Sequence, residues 1–342
     1  MRVAVCLPQV PFARGGAEIL AESLVVQLRA RGHDADLVTI PFKWYPEARV
    51  LSQALPWRLL DLEEADGRPI DRVIATKFPS YVVRHPNKVV WLVHQFRQAY
   101  EHDRTAFGQF GERPFDRPTR RAVHRLDGLT LGEARSVFAI SKNVAERLER
   151  STGLSSEVLT PPPQDLDYRC EEYGDFVLSV SRLDRAKRVD LLLDAAAAAS
   201  DLQVVVVGDG PDRGRLEKLA RSRGLDGRVR FAGRVDSEEL SSLYARCLGV
   251  FYAPVDEDLG LVPYEAFLAS KPVVTTWDAG EPVGVVTDRE TGVVCDPTPV
   301  AVAEACSWLA AHREEAAVLG EKGRGLAELL SWDVVVERLL QP

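Results

Sequence analysis

The sequence has few of the features that mark exported, membrane-spanning or disulfide-rich proteins. Its five cysteines are an odd number without a C-x-x-C pair, so neither a disulfide framework nor a zinc knuckle is expected. No apolar run approaches the ~20 residues that a membrane helix needs. The chain starts on a short strand-like run, VAVCL, instead of a basic leader. These absences predict a cytoplasmic protein that is neither exported nor membrane-spanning.

An excess of positive charge is also absent. The net charge of −8 argues against a nucleic-acid partner, because binding to the phosphate backbone needs a dominant basic surface. The charge is uneven, with 24 Lys and Arg against 21 Asp and Glu in residues 1–170, and 19 against 30 in residues 171–342. The two halves are therefore expected to face different partners.

Short Val, Ile and Leu runs alternate along the chain with amphipathic stretches of helical length. Continuous apolar runs are typical of parallel strands that helices cover on both faces. The pattern occurs twice in the 342 residues, which predicts an α/β protein with two Rossmann-like, doubly wound domains. The strand candidates are Val3 to Leu7, Ala35 to Ile40, Arg72 to Ala75, Val89 to Val93, Ser136 to Ile140, Phe176 to Val180, Gln203 to Val207, Val229 to Ala232, Gly249 to Ala253, Pro272 to Thr275 and Gly292 to Cys295.

The prolines at 161–163 mark the boundary between the two domains, since they fix φ and remove backbone donors. We expect an N-terminal domain over residues 1–163 and a C-terminal domain over 164–327. An amphipathic helix at about 328–342 could belong to either domain, with packing back onto the first as one option. Doubly wound sheets bind ligands at the carboxyl ends of their strands, so a ligand cleft between the domains is expected.

Gly15 and Gly16 follow the first predicted strand and lead directly into a helix. Glycines at a helix start let the oxygens of a ligand approach free N–H groups at the positive end of the helix dipole. The alternative is a flexible start to the helix with no ligand. The length of this loop favours a role in binding.

Two cations follow the first strand of the second half. Arg182 and Lys187 flank a short loop that opens into a predicted helix over Val189 to Ala199. Such a pair could hold a diphosphate through charge-assisted hydrogen bonds, and solvated surface charge is the alternative.

The segment DEDLGLVPYEAF, after the strand GVFYA, contains two glutamates eight positions apart. Glu257 lies on the predicted loop, where it could accept hydrogen bonds from hydroxyl groups. Glu265 lies about one turn inside the predicted helix, where it could bind a ribose diol. Both could instead be structural glutamates. An anion could be met by three amides at the helix tip, those of Gly260, Leu261 and Val262.

The ordered set GGAE, SRLDRAKRVDLLL, VVVVGDGPDRGRLEKLA, VRFAGRV and DEDLGLVPYEAFLASKPVV resembles retaining glycosyltransferases of family 4, which have the GT-B fold. The resemblance covers nearly the whole chain. It implies that Arg182 and Lys187 bind the donor diphosphate and that Glu257 contacts the transferred sugar. Further implied roles are Gly16 near the donor phosphate and the acceptor, Glu265 on the nucleotide ribose, the Leu261 and Val262 amides on the phosphate, and His94 beside the reacting face of the sugar.

Three positions depart from the family pattern. Leu259 stands where phenylalanine is common. Glu281 replaces the second glycine of a glycine-pair loop, and Gly284 stands where that loop often has a glutamate. Contacts to the donor sugar from this loop are therefore not carried over to this chain.

No metal or resident cofactor is expected. Three Asp-x-Asp patterns occur, at Asp34/Asp36, Asp165/Asp167 and Asp256/Asp258, and chance is a sufficient explanation for them. Arg182 and Lys187 already supply the positive charge that a metal would bring. The glycines at 208, 210 and 214 miss the dinucleotide spacing by one residue, which argues against a nicotinamide cofactor.

The region from Arg113 to Arg135 is rich in arginine interleaved with leucine and valine. It could rest on anionic lipid at the inner face of the membrane, which suits a lipid-linked acceptor, or it could be an ordinary solvated helix.

These observations together predict a retaining, metal-independent glycosyltransferase of the hexosyltransferase type. It would move a sugar from a nucleoside diphosphate sugar to a hydroxyl of a glycan, a lipid-linked glycan or another glycoconjugate, as in polysaccharide biosynthesis. A nucleotide-sugar 2-epimerase and a non-catalytic glycan-binding subunit are the alternatives. The sequence leaves open the nucleotide base, the sugar, the acceptor and the oligomeric state.

Overall fold

A computed structural model describes residues 1–12, 14–101, 108–111 and 113–341. The chain divides into two compact units. The first contains residues 1–161 and the last helix, Trp332–Leu340, and the second contains Pro162–Ser331.

The first unit is built on a six-stranded parallel sheet in the order β2-β1-β5-β6-β7-β8. A separate antiparallel hairpin is formed by β3 and β4. The strands are β1 (Arg2–Gln9), β2 (Asp34–Pro41), β3 (Glu64–Ala65), β4 (Arg68–Pro69), β5 (Arg72–Lys77), β6 (Lys88–His94), β7 (Ser136–Ala139) and β8 (Glu157–Val158). The helices are α1 (Gly16–Ala30), α2 (Leu55–Leu59), α3 (Asp116–Leu131) and α4 (Lys142–Thr152).

The second unit is built on another six-stranded parallel sheet, in the order β11-β10-β9-β12-β13-β14. Its strands are β9 (Phe176–Val180), β10 (Gln203–Val207), β11 (Val229–Gly233), β12 (Gly249–Phe251), β13 (Val273–Thr276) and β14 (Gly292–Cys295). Its helices are α5 (Val189–Ala198), α6 (Arg213–Ser222), α7 (Ser237–Arg246), α8 (Val262–Leu268), α9 (Glu281–Val285), α10 (Pro299–Ala311) and α11 (Arg313–Ala327), and α12 (Trp332–Leu340) follows.

The central strands of the second sheet are buried on both faces. Consecutive residues of a strand point to opposite faces, and both members of such pairs have no exposed surface: Val177 and Leu178 in β9, and Val273 and Val274 in β13. Helix α10 packs on α5, and α11 packs on α8. Because both faces are covered, consecutive residues of a strand are apolar, and this is the continuous pattern that the sequence displays.

The last helix packs on the first unit. The ring of Trp332 lies edge-on to the buried ring of Trp91, with 6.1 Å between the centroids. Arg31 donates to Asp333 at 2.8 Å, and Arg72 donates to the carbonyl of Leu339 at 3.2 Å. The structure therefore places this helix, whose owner the sequence left open, with β5, β6 and α1.

All eleven predicted strands are present, and most of their ends differ by one or two residues. The prediction missed β3, β4 and β8, each of which has only two residues, too few to display a period. Within the described ranges, no helix is long and apolar enough to cross a membrane.

Candidate functional site

Three loops of the second unit lie side by side at the carboxyl ends of its strands. They follow β9, β12 and β13, which are adjacent in the sheet. The amide of Val255 donates to the carbonyl of Ala186 at 2.8 Å, which joins the first loop to the second. The amide of Glu257 donates to the carbonyl of Ala279 at 2.8 Å, which joins the second to the third. The sheet therefore brings together residues far apart in sequence.

A glycine makes the close approach of the second and third loops possible. Gly280 has a φ of +81° and forms a parallel bridge with Glu257. A Cβ at this position would lie 2.4 Å from the amide nitrogen of Glu257, a distance that no side chain tolerates. The absence of a side chain at 280 therefore allows the bridge that holds the backbone of Glu257.

Lys187 lies at the centre of these loops, and its side chain is only 19% exposed. Its Nζ donates in a close contact to the carboxylate of Glu257 and donates to the hydroxyl of Tyr252 at 3.2 Å. Burial by itself lowers the pKa of Lys187, but its interactions with Tyr252 and Glu257 outweigh burial and hold the pKa above its usual value. The amine is therefore charged at neutral pH.

Arg182, the second predicted cation, is exposed on the loop after β9. Its side chain has no ion pair with any residue in the described part of the chain. The two cations therefore differ, because Lys187 is engaged by a carboxylate and Arg182 is open to solvent.

Helix α8 begins at Val262, directly after the Glu257 loop. Gly260 has a φ of +68°, and a Cβ there would lie 2.5 Å from the ring of Tyr252. Among the described residues, none accepts a hydrogen bond from the amide of Leu261 or Val262. Pro263 occupies the first turn, where its missing N–H costs nothing.

Glu265 is half-buried on α8, and its carboxylate accepts a hydrogen bond from the hydroxyl of Tyr244 at 2.7 Å. Burial raises the pKa of Glu265, and the hydrogen bond from Tyr244 offsets part of that shift. Tyr244, on α7, packs edge-on against Tyr168 of the connecting segment, with 5.9 Å between the ring centroids. Glu265 is therefore held by an aromatic neighbour that sequence reasoning did not identify.

In the first unit, the predicted residues Gly15, Gly16 and His94 lie at the carboxyl ends of β1 and β6, and β5 lies between these two strands. His94 ends β6, and its Nδ1 lies 2.6 Å from the carbonyl of Gln95. A shift in the register of β5 and β6 sets Lys77 opposite His94. Lys77 donates to Glu18 at 2.7 Å, and Glu18 accepts from the amide of Gly15 at 2.9 Å.

The start of α1 therefore already contains a carboxylate of the protein. Gly15 is the N-cap, and its amide is taken by Glu18. Gly16 is exposed, and a Cβ added there would meet no atom within 4 Å. Burial raises the pKa of Glu18, but the charge and hydrogen bonds of Lys77 and Gly15 hold it below its usual value. Of the two glycines, Gly16 has the open backbone that an approaching ligand requires.

Sequence reasoning missed several residues of these two sites. Glu18 had a local signal, because a glutamate three residues after an N-cap commonly folds back onto the cap amide. Lys77 and Tyr252 had a weaker signal, namely their place at or just beyond the end of a strand. Arg188 and Tyr244 had none, since their partners lie at distant positions in the sequence.

The Asp-x-Asp patterns lie apart from one another. Asp34 accepts from Arg2 at 3.2 Å, and Asp167 accepts from Arg169 at 2.7 Å. The described residues contain no group of three side chains placed to hold a metal ion. Glu281 is buried in the first turn of α9, and a Cβ at Gly284 would lie 3.7 Å from its carboxylate.

Residues 169–326 match the model of a protein family described as glycosyl transferases group 1. This match covers nearly the whole second unit, which carries Arg182, Lys187, Glu257 and Glu265. The second unit is therefore similar to glycosyltransferases.

Curated relatives of this class align with part of the chain. One is the alpha-1,3/1,6-mannosyltransferase ALG2 of Dictyostelium discoideum, 31% identical over 144 residues, which are 36% of this chain and 34% of the relative. Another is the alpha-D-kanosaminyltransferase of Streptomyces kanamyceticus, 28% identical over 222 residues, which are 60% of this chain and 56% of the relative. The chain spans between about a third and just over half of the length of the curated relatives it matches.

Solved structures align with nearly the whole chain. Sucrose-phosphate synthase from Thermosynechococcus elongatus has a TM-score of 0.76 at 21% identity, over 99% of this chain and 97% of that one. HepE from Anabaena, in complex with UDP and glucose, has a TM-score of 0.72 at 18% identity, over 99% and 98% of the two chains. This likeness and the two parallel sheets confirm the predicted GT-B fold class.

Proposed function

We propose that the protein is a retaining, metal-independent glycosyltransferase. It transfers a sugar from a nucleoside diphosphate sugar to a hydroxyl of a glycan, a lipid-linked glycan or another glycoconjugate. One observation carries the proposal: Lys187, Glu257 and the start of α8 meet at the carboxyl ends of β9 and β12, within the unit that matches glycosyltransferases.

The charge of the site suits a departing nucleoside diphosphate. As the bond between the anomeric carbon and the diphosphate breaks, negative charge grows on the phosphate oxygens. Arg182, Lys187 and the amides of Leu261 and Val262 stabilise that charge, which is the largest catalytic contribution we expect. These cations take the part that a metal plays in other transferases, so a chelator is expected to leave turnover unchanged.

The remaining residues position the two substrates. Glu257 orients the hydroxyls of the transferred sugar, and Glu265 binds the ribose diol. A donor phosphate oxygen takes the proton of the acceptor hydroxyl as the new carbon–oxygen bond forms on the same face of the sugar. From the first unit, we assign His94 to the reacting face of the sugar and Gly16 to the donor phosphate and acceptor, as the family resemblance implies.

The acceptor is proposed to be membrane-associated because of the exposed face of α3. Arg117, Arg121 and Arg125 recur at every fourth residue of this helix, and all three are exposed. Leu129, on the same helix, is 64% exposed, and Phe115, just before it, is 70% exposed. A basic face with apolar ends suits the surface of an anionic membrane.

Nucleotide binding tests the proposal first. Thermal unfolding is measured with UDP, GDP and dTDP, and one base is expected to stabilise the protein most. A ligand at about a hundred times its Kd adds about 2.7 kcal/mol to the free energy of unfolding. Stabilisation by none of the three would contradict the proposal.

A matched pair of lysine variants then tests the site. Lys187→Ala is expected to lose most of kcat and much of the donor affinity, whereas Lys218→Ala, at an exposed lysine of α6, keeps both. Unchanged turnover in Lys187→Ala would overturn the phosphate role. Incubating the donor without acceptor distinguishes an epimerase, which would convert the sugar by itself, from a transferase, which would at most hydrolyse it slowly.

A further inference from the structure

Arg188 follows Lys187 at the start of α5, and its backbone lies in the left-handed region, with a φ of +48°. A non-glycine residue in this region is uncommon, because its Cβ crowds the backbone. Glycine would suit the backbone better, so the side chain of Arg188 must contribute something that glycine lacks.

That side chain joins the other two loops of the site. Its guanidinium makes five hydrogen bonds between 2.7 and 2.9 Å. Two form a bidentate ion pair with Asp278 on the loop after β13, and one goes to the hydroxyl of Thr276 at the end of that strand. The other two go to the carbonyls of Ala253 and Pro254, at the start of the loop after β12.

These contacts complete a closed chain of interactions that includes Lys187. The carbonyl of Asp278 accepts from the amide of Asp256 at 3.1 Å, so the loop that Arg188 holds in turn holds the backbone before Glu257. Glu257 then reaches Lys187, the covalent neighbour of Arg188. Each member of this closed chain contacts the next.

We propose that Arg188 is a positioning residue, which holds the loops after β9, β12 and β13 so that Lys187 and Glu257 are preorganised for the donor. This inference rests on the proposed function and adds to it a residue that touches no substrate. Its ion pair with Asp278 is bidentate, a geometry that lysine cannot reproduce. Burial raises the pKa of Asp278, but the hydrogen bonds from Arg188 and Thr276 and the charge of Arg188 hold it below its usual value.

The variant Arg188→Gly separates positioning from folding. Glycine adopts a φ of +48° without strain, so the loss of contacts is partly offset and the fold is expected to persist. The loop that carries Glu257 is expected to loosen, and nucleoside diphosphate affinity and kcat/KM to fall about 10- to 100-fold. Arg185→Ala, at an exposed arginine of the same turn, is the matched control and is expected to change neither.

A readout independent of substrate is the reactivity of the Lys187 amine. Competitive acetylation followed by peptide mass spectrometry compares Lys187 with the exposed Lys218 in each variant. Lys187 is expected to react several times faster in Arg188→Gly, because its carboxylate partner is no longer held. Equal rates in the two proteins would overturn the positioning role even if no nucleotide bound.

Chemical rescue distinguishes a missing guanidinium from a damaged fold. The variant keeps the Asp278 carboxylate, so added guanidinium at roughly tens of millimolar is expected to restore activity in part. Neutral urea, of similar shape, is expected not to. If Arg188→Gly fails to fold, Asp278→Asn removes the same ion pair and is expected to raise Lys187 reactivity in the same way.

The outcomes keep the two proposals apart. If the wild type binds none of the nucleotides, the proposed function fails, and the acetylation rates still decide the role of Arg188. If the wild type binds a nucleotide and Arg188→Gly binds it equally tightly with unchanged Lys187 reactivity, the positioning role is wrong and the proposed function stands.

Discussion

Lys187 and Glu257 neutralise each other, so any diphosphate that binds Lys187 competes with a carboxylate of the protein. This competition has a use in the proposed reaction. When phosphate oxygens attract the amine, the carboxylate of Glu257 is released to accept hydrogen bonds from the hydroxyls of the sugar. One rearrangement then engages both halves of the donor. Arg182, which is exposed, can meet the diphosphate without breaking an internal ion pair.

The first unit contains a fully buried carboxylate, that of Asp127. Asp127 of α3 has no exposed surface and accepts hydrogen bonds from the hydroxyls of Tyr81 and Tyr100, each at 2.8 Å. It also accepts from the side-chain Nε2 of Gln95, the residue after His94, at 3.2 Å. Burial raises the pKa of Asp127 to about 7, even though these donors oppose the shift.

The raised pKa of Asp127 predicts how the free energy of unfolding depends on pH. Between pH 4 and pH 7 the folded state binds a proton at Asp127 that the unfolded state has lost, so stability falls as pH rises. Above pH 7, the buried charge of Asp127 lowers the free energy of unfolding by at most about 4 kcal/mol for a pKa shift of this size. Asp127→Asn is expected to remove it, and denaturant unfolding at pH 5.5 and pH 8 measures the difference.

A control at an exposed aspartate isolates this contribution. Asp66→Asn changes a residue of the β3–β4 turn with a φ of +54°, which asparagine adopts readily. It should keep the pH dependence of the wild type. If Asp127→Asn and wild type lose the same stability between the two pH values, Asp127 does not carry the effect.

At the scale of an element, the proposed membrane contact can be tested with variants of helix α3. Replacing Arg117, Arg121 and Arg125 by glutamine keeps helix propensity and removes three charges from one face. Each basic residue near an anionic surface contributes about 1 kcal/mol, so binding to vesicles with anionic lipid is expected to weaken about 100-fold. Vesicle co-sedimentation measures the change.

The matched control variant removes the same number of positive charges from the second unit. Lys218, Arg221 and Lys322 are exposed there, and their replacement by glutamine is expected to leave vesicle binding unchanged. Equal loss in both triple variants would show that net charge alone governs binding. Absence of binding by the wild type to anionic vesicles would contradict the membrane contact.

The strands were predictable from sequence because their burial leaves a continuous apolar pattern, as in Gln203–Val207. The contacts that build the site were not. Lys187 and Glu257 are 70 positions apart, and Arg188 and Asp278 are 90 apart. Such residues are neighbours only because of the order of strands in the sheet, and that order cannot be read from a single sequence. Family motifs identified Lys187 and Glu257 as candidates without revealing that they form an ion pair.

At the scale of the whole molecule, the chain leaves the first unit once and returns to it. Residues 162–331 form the second unit, and α12 then packs on the first. Val335, Val336 and Leu339 of this helix are buried. The first unit therefore completes its core with residues from the far end of the chain, and its stability depends on a segment that follows the whole second unit.

This dependence predicts a local effect of a distant substitution. Leu339→Ala empties a fully buried position and is expected to cost about 2–5 kcal/mol. Hydrogen exchange followed by mass spectrometry is expected to show faster exchange in β1, β5 and β6, with β9, β12 and β13 unchanged. Leu309→Ala, a fully buried leucine of α10, is the mirror control and should speed exchange in the second sheet instead. If Leu339→Ala loosened the second sheet and spared the first, the helix would belong to the core of the second unit, and the division of the chain described above would be wrong.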